Sequence, residues 1–164
     1  MEIVDIYDEN CLRTGKTMQR NKRIQSGEYI LVVHILLENK QGKFLIQKRS
    51  RNKKVFPGLW EITGGSVKSG EESKDAVKRE TFEEVGIKLE DNELELIGRL
   101  RRNKSFVDVY HASADFTKDD CILQKEEVDD IKLISKDEML NMIRGAGHRD
   151  EKYKRMIEEY LLKK

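Results

Sequence analysis

Proline, cysteine and tryptophan are nearly missing from this 164-residue chain, with one, two and one copies respectively. A single proline and no Ser/Gly-rich tract leave no linker, repeat or low-complexity segment to divide it. Cys11 and Cys121 stand far apart, in neither a redox nor a metal-ligand spacing, so each thiol reads as a small hydrophobe in a reduced, cytoplasmic setting. Net charge is scarce too, at +1 with a pI near 7.7. That balance gives no electrostatic case for a nucleic-acid polymer or an acidic membrane as partner. Long hydrophobic runs are also lacking. The longest, residues 29–37, contains His34 and is too short to cross a bilayer. The opening MEIVDIYDEN is acidic and lacks the basic and apolar regions of a signal peptide.

What the chain does have is charge of both signs, 38% of its residues, and enough length for one domain with a real core. Its central stretch reads GGSVKSGEESKDAVKRETFEEVGI from Gly64 to Ile87. Ser69 with Glu72 forms a capping box, predicting a helix from near Glu71. Glu80, Glu83 and Glu84 then fall at i, i+3 and i+4 on one helix face, where they can converge on one hard cation. Glutamate clusters also arise on ordinary solvated helices in so charged a chain. Against that, Glu80 and Glu84 share a side with Ala76 and Val77, the small apolar residues that should face the body. Acids there lose solvation, and like charges one turn apart repel. A divalent cation turns both penalties into attraction. Magnesium is held by carboxylate oxygens together with substrate phosphates, which points to chemistry on a diphosphate.

From Gly65 the pattern is G-x5-E-x7-R-E-T-x-E-E-x-G-I, which resembles the signature box of the Nudix (MutT-like) hydrolases. Gly65, Glu71, Arg79, Glu80, Glu83, Glu84, Gly86 and Ile87 match; Thr81 stands where the box normally has an aliphatic residue. At about 10% per fixed identity, the seven glycine, glutamate and arginine matches arise by chance on the order of 10⁻⁵ times in a chain this long. The resemblance implies an α/β fold: a Nudix-type α/β/α sandwich with a mixed β-sheet and the box as loop–helix–loop. One domain over 1–164 would comprise an N-terminal hairpin extension (1–27), a Nudix core (28–143) and a C-terminal helix (150–164). The resemblance also implies a magnesium-dependent hydrolase (Mn2+ as a substitute) that cleaves a nucleoside diphosphate derivative or similar organic pyrophosphate. Glu80 and Glu84 would be the main metal ligands, with Glu83 completing the set and the Gly64 carbonyl as a further oxygen. Arg79 and Glu71 would pair to orient the helix. The proton acceptor is left open: a glutamate outside the box sometimes serves in this family, with Glu127 the candidate here and Glu126 the fallback.

The rest of the chain reads as strands and helices around this box. Residues 2–7 alternate as a strand, and 13–16 look like a turn into a second one. Residues 18–27 form a basic loop or short helix in which Arg20 or Arg23 can lend a cation, although a solvated surface explains them as well. Residues 29–37 and 43–49 form a hairpin around Asn39-Lys40-Gln41-Gly42. Its first arm is apolar enough to be covered on both faces, with His34 a hydrogen-bonded core histidine. In the second arm Leu45, Gln47 and Arg49 share a face while Lys48 points outward. Arg49 suits a diphosphate because guanidinium binds phosphate oxygens bidentately. Trp60 either stacks on a base or packs in the core. Gly64 and Gly65 let backbone approach the metal, having no Cβ. Beyond the box, 93–101 and 105–116 alternate as two strands, 121–123 as an edge piece and 131–134 as a strand. Ser135 and Glu138 cap a helix ended by Gly145. Residues 150–164 form an amphipathic helix with Tyr153, Met156, Ile157, Tyr160 and Leu161 inward.

Two other classes compete. The N-terminal pattern resembles the branch related to isopentenyl-diphosphate isomerase, but that enzyme's catalytic cysteine would stand just before the first box glycine, where Gly64 lies. The thiol needed for acid–base chemistry at carbon is missing. A non-catalytic nucleotide-binding module is opposed by the intact box. Small-molecule diphosphates are the expected partners, and a homodimer is left open.

Overall fold

A computed structural model describes residues 1–147 and 149–164. The chain runs β1 (Ile3–Tyr7), β2 (Arg13–Gln19), β3 (Ile30–Glu38), β4 (Phe44–Arg49), β5 (Trp60–Glu61), β6 (Thr63–Ser66), α1 (Ser73–Val85), β7 (Leu94–Arg101), β8 (Ser105–Ser113), β9 (Val128–Ile134), α2 (Lys136–Arg144) and α3 (Glu151–Lys163). β1 and β2 form a separate antiparallel pair, while the other seven strands form one mixed sheet. β3 is its centre, parallel to β8 along its whole length.

Alternation along the strands sorts the core into two layers. Val33, Ile35, Leu37, Leu45 and Tyr110 pack with Ala76, Val77 and Val85 of α1. Leu36, Phe44, Ile46, Val107 and Val109 pack on the other side with Met139, Ile143, Tyr153, Ile157 and Leu161 of α2 and α3. The result is an α/β/α sandwich. His34 is buried among this second layer and shares a 2.7 Å hydrogen bond with the Tyr153 hydroxyl.

The hairpin of β3 and β4 holds only at its turn, where Leu37 faces Leu45 and Glu38 faces Phe44. Beyond that the strands splay, and residues 60–66 fill the gap. β5 pairs with β4 at Gln47 and Lys48, and β6 pairs with β3 from Val32 to Ile35. This splay places the end of β4, β6 and α1 around one pocket.

Four sequence expectations need correction. Residues 13–16 are strand rather than turn: the reversal comes earlier, where the Asp8 carboxylate accepts the Asn10 and Leu12 N–H groups at 2.9 and 3.0 Å. The Ser69–Glu72 capping box is absent. The Ser69 hydroxyl instead donates to Asp5 at 2.7 Å, and α1 starts at Ser73 after an N-cap, Glu72, that makes no side-chain cap. Residues 121–123 form no strand, following a 3-10 turn at Lys118–Asp120. Lys48 is half-buried rather than exposed, because its strand is paired on both edges. The second capping box is present, with the Glu138 N–H donating to Ser135 Oγ at 3.1 Å and the Ser135 N–H to Glu138 Oε1 at 3.0 Å.

Candidate active site

The buried stripe of α1 comprises Ala76, Val77, Glu80, Thr81, Glu84 and Val85. Helical spacing puts the two glutamates where the small residues touch the sheet, so the same periodicity that packs α1 also buries its acids. Thr81, polar at a fully buried position, donates its hydroxyl to the Val77 carbonyl at 2.7 Å and so makes no demand on the core. Room for the acids comes from β6. A Cβ on Gly65 would lie 2.3 Å from the Glu80 carboxyl carbon, and one on Gly64 would lie 2.4 Å from the Val33 carbonyl oxygen. The glycine pair therefore makes space for a carboxylate and for the neighbouring strand.

Glu80 and Glu84 are only 8% and 5% exposed, and stand close enough to share a hydrogen bond. Burial raises the Glu80 carboxyl above its ordinary value. Glu84 is pushed well above it, by burial first and then by Glu80. Gln47 Nε2 donates to Glu84 at 2.7 Å, and Gln47 Oε1 accepts the Thr63 hydroxyl at 2.9 Å, so the amide is held in one orientation. Two adjacent buried carboxyls with hard oxygen donors form a pair that a proton or a cation must satisfy.

Arg79 ties the helix to the loop before it. Its Nε and Nη2 bind both Glu71 oxygens at 2.8 and 3.0 Å, and Nη2 also reaches the Ser66 carbonyl at 3.0 Å. Nη1 bridges Glu80 at 3.0 Å and Glu83 at 3.1 Å. Glu71 foremost, and then Glu80, raise the arginine above its ordinary value against the opposing effect of burial. Burial works against the Glu71 carboxyl, but Arg79 and the Lys68 N–H outweigh it and hold it low. Glu83 is turned toward Arg79 and partly exposed. Thus Glu80 and Glu84 meet while Glu83 stands apart. Among the described residues no three His, Cys, Asp or Glu side chains close on one point. The expected convergence of all three glutamates is not the arrangement present, because Arg79 draws the third away.

All three glutamates nonetheless line one small polar cavity of about 110 Å³ with Gly64, Gly65 and Arg49. Arg49 is anchored by Nε to the Val55 carbonyl at 2.9 Å and by Nη1 to Glu61 at 3.1 Å. Glu127 is in the wall and pairs with Lys53 Nζ at 2.6 Å, whereas Glu126 is exposed and does not line it. Trp60 lies elsewhere, lining an apolar cavity on the α2/α3 side. Arg20 reaches the polar cavity and Arg23 does not line it.

Sequence patterning missed Gln47 as a partner of Glu84, although it is the polar residue at an inward position of β4. It also missed Glu2, Lys53 and Gln124, which complete the cavity wall. Glu2 had no local signal. It arrives because the β1–β2 register brings it beside Arg20, with a 3.1 Å salt bridge.

Residues 28–156 match the NUDIX domain. An uncharacterised Nudix hydrolase of Listeria monocytogenes is 36% identical over 90% of this chain and 87% of its own length. The nucleoside triphosphatase NudI of Escherichia fergusonii is 43% identical over 58 residues, which is 35% of this chain and 40% of NudI. A crystal structure from Deinococcus radiodurans superposes with a TM-score of 0.72 at 26% identity, covering 89% of this chain and 90% of that one.

Proposed function

Because the chain belongs to the Nudix hydrolase family, we propose that it is a magnesium-dependent hydrolase of a nucleoside diphosphate derivative or similar organic pyrophosphate, with manganese able to replace magnesium. One observation carries this: two carboxylates, Glu80 and Glu84, are buried side by side at a cavity whose wall also holds Arg49, Arg20 and Lys53. A fold keeps such a costly pair where a cation is to be gripped and an anion placed next to it.

Glu80 and Glu84 would hold the ion through hard oxygens, with Glu83 swinging from Arg79 to complete the set and the Gly64 carbonyl as a further donor. Bound there, magnesium supplies Lewis-acid screening of the diphosphate oxygens and acidifies water. Gln47 fixes the Glu84 carboxylate, while Arg79 and Glu71 fix the helix. Arg49, with Arg20 and Lys53, steadies the phosphates by charge-assisted hydrogen bonds. In the reaction a water oxygen bonds to one phosphorus, the bridging P–O bond breaks, and the leaving phosphate takes the electron pair. Glu127 takes the water proton, and its ion pair with Lys53 keeps the carboxylate at the cavity wall.

Isomerase chemistry is not supported. Cys11 and Cys121 are absent from the cavity lining, and burial raises both thiols, Cys121 to about 11. A non-catalytic module is opposed by the buried acids. Free thiols at both cysteines fit a reduced cytoplasm. No helix among the described residues is long and apolar enough to cross a membrane.

A magnesium-supplemented screen of nucleoside di- and triphosphates, nucleotide sugars, dinucleotides and other organic diphosphates, read by phosphate release, tests this. Turnover of at least one compound, lost on chelation and restored by magnesium, is expected. Silence across the panel with either ion overturns it, and an allylic product from isopentenyl diphosphate would favour the isomerase.

A further inference from the structure

We propose that Arg149, backed by Arg102, binds a second anionic group of the substrate, a phosphomonoester or carboxylate separate from the diphosphate that is cleaved. This rests on the hydrolase function above and narrows its substrate class to organic diphosphates that carry a further negative charge.

A recess of about 300 Å³ shares Arg20, Arg49, Gly64 and Gly65 with the acidic cavity. It shares Glu61, Ile62 and Arg149 with the apolar cavity of about 430 Å³ at Trp60. Among the described residues lining the recess, Arg20, Arg49 and Arg149 stand against one carboxylate, Glu61. Glu61 lies between two of these cations, with Oε1 3.1 Å from Arg49 Nη1 and Oε2 3.7 Å from Arg149 Nη2. Arg149 therefore stands one carboxylate's width beyond the arginine assigned to the diphosphate, at the end of the recess away from Glu80 and Glu84.

That end is short of anions. The Arg149 side chain is only 17% exposed, and its contact with Glu61 is beyond hydrogen-bonding distance. Arg102, which follows β7, has Nε and Nη2 buried without a hydrogen-bond partner. The Asp150 carboxylate lies 3.9 Å from that Nε. Both guanidinium groups pack on Tyr153, at 4.9 and 5.3 Å from the ring centroid. Cation–π contact offsets part of the desolvation of one such cation, but two beside one ring repel. Burial first, and then Arg149, lower Arg102 below its ordinary value. A bound anion supplies the missing acceptors and turns that repulsion into shared attraction. Turning Arg102 toward it breaks no hydrogen bond at Nε or Nη2. Arg149 also lines the apolar cavity, beside Ile62 and Ile143. An anion carried on a carbon skeleton satisfies both surroundings, whereas a third phosphate in line would set its charge against the apolar wall.

Calorimetric titration of the metal-free protein tests the site apart from catalysis. Fructose 1,6-bisphosphate is compared with fructose 6-phosphate, 6-phosphogluconate with glucose 6-phosphate, and tripolyphosphate with pyrophosphate. In wild type the second anion of at least one sugar pair should tighten binding about tenfold, and the pair that responds identifies it as phosphate or carboxylate. Arg149→Gln should cut the gain below about twofold while leaving the singly phosphorylated sugars and Tm unchanged. Arg149→Lys should keep part of it, since a point charge remains without the fork. Arg102→Gln should weaken the doubly anionic sugar alone, by about threefold. Equal affinity within both sugar pairs, or a gain that survives in Arg149→Gln, overturns the proposal. An Arg149-dependent gain seen only with tripolyphosphate assigns the arginine to a third phosphate and overturns it too. Hydrolysis of a diphosphate without an Arg149-dependent gain refutes the anion site alone. The gain without hydrolysis of any diphosphate refutes the hydrolase alone.

Discussion

Helices α1 and α3 are both 13 residues long and lie on opposite faces of the same sheet, yet they are held by different means. α3 buries Tyr153, Ile157 and Leu161 in an unbroken apolar stripe, and its first turn is capped locally by Asp150, which accepts the Tyr153 N–H at 2.7 Å. α1 buries Glu80, Thr81 and Glu84 among its apolar residues and has no side-chain cap of its own. Its support comes from afar. Arg13 donates to the Glu71 carbonyl at 2.8 Å and to Glu72 at 3.2 Å, and Asp5 binds Ser69 and Gly70. One helix is built for stability from its own sequence. The other gives up stability at its buried acids, and parts remote in sequence make up the loss.

Breaking the acidic stripe should have the largest effect. Glu84→Gln keeps the shape and the Gln47 contact but removes a buried charge, so magnesium-dependent turnover should fall by at least about 10²-fold while Tm is unchanged or higher. Near-normal turnover would separate the acids from the chemistry. The opposite pattern is expected on α3. Ile157→Ala empties a fully buried position and should cost about 2–5 kcal/mol in denaturant unfolding, with activity per folded molecule retained below the transition. If its stability loss were small, α3 would not be the packing helix described.

The smallest effect probes the remote latch on α1. Burial pushes the Asp5 carboxyl up, but the Gly70 N–H, the Ser69 hydroxyl and Arg13 outweigh it and hold it below its ordinary value. A carboxyl depressed in the folded state stabilises above its unfolded pKa, ~3.9, and that contribution fades as pH falls through the folded value. Asp5→Asn should therefore melt below wild type at neutral pH, and the gap should narrow as the pH is lowered below ~3.9. A gap that persists unchanged there would mean the latch does not depend on charge.

The legibility of the chain follows the same division. Residues 150–164 announce α3 through apolar spacing, and Ser135 with Glu138 announces α2, because both signals act within a few residues. The buried placement of Glu80 and Glu84 was legible too, since Ala76 and Val77 mark their face. The start of α1 was misread because Ser69, a good cap by pattern, finds a stronger partner in Asp5, 64 positions away. Gln47 was visible as an inward residue but not as the group that orients Glu84, since that contact spans 37 positions. Arg49 and Trp60 were both plausible ligand residues. The structure puts them on different cavities joined by a recess, a distinction no local pattern carries.

From its order of residues alone, this chain determined the box register, most strand and helix positions, and which face of each element is buried. Those follow from side-chain periodicity, which is a property of neighbouring residues. Tertiary structure decided how β3 and β4 part to admit residues 60–66, how Glu2 and Arg20 arrive from the N-terminal hairpin, and why Glu83 leans on Arg79 while Glu80 and Glu84 meet. Those outcomes depend on pairings between distant segments, whose geometry is set only once the sheet has closed around its centre.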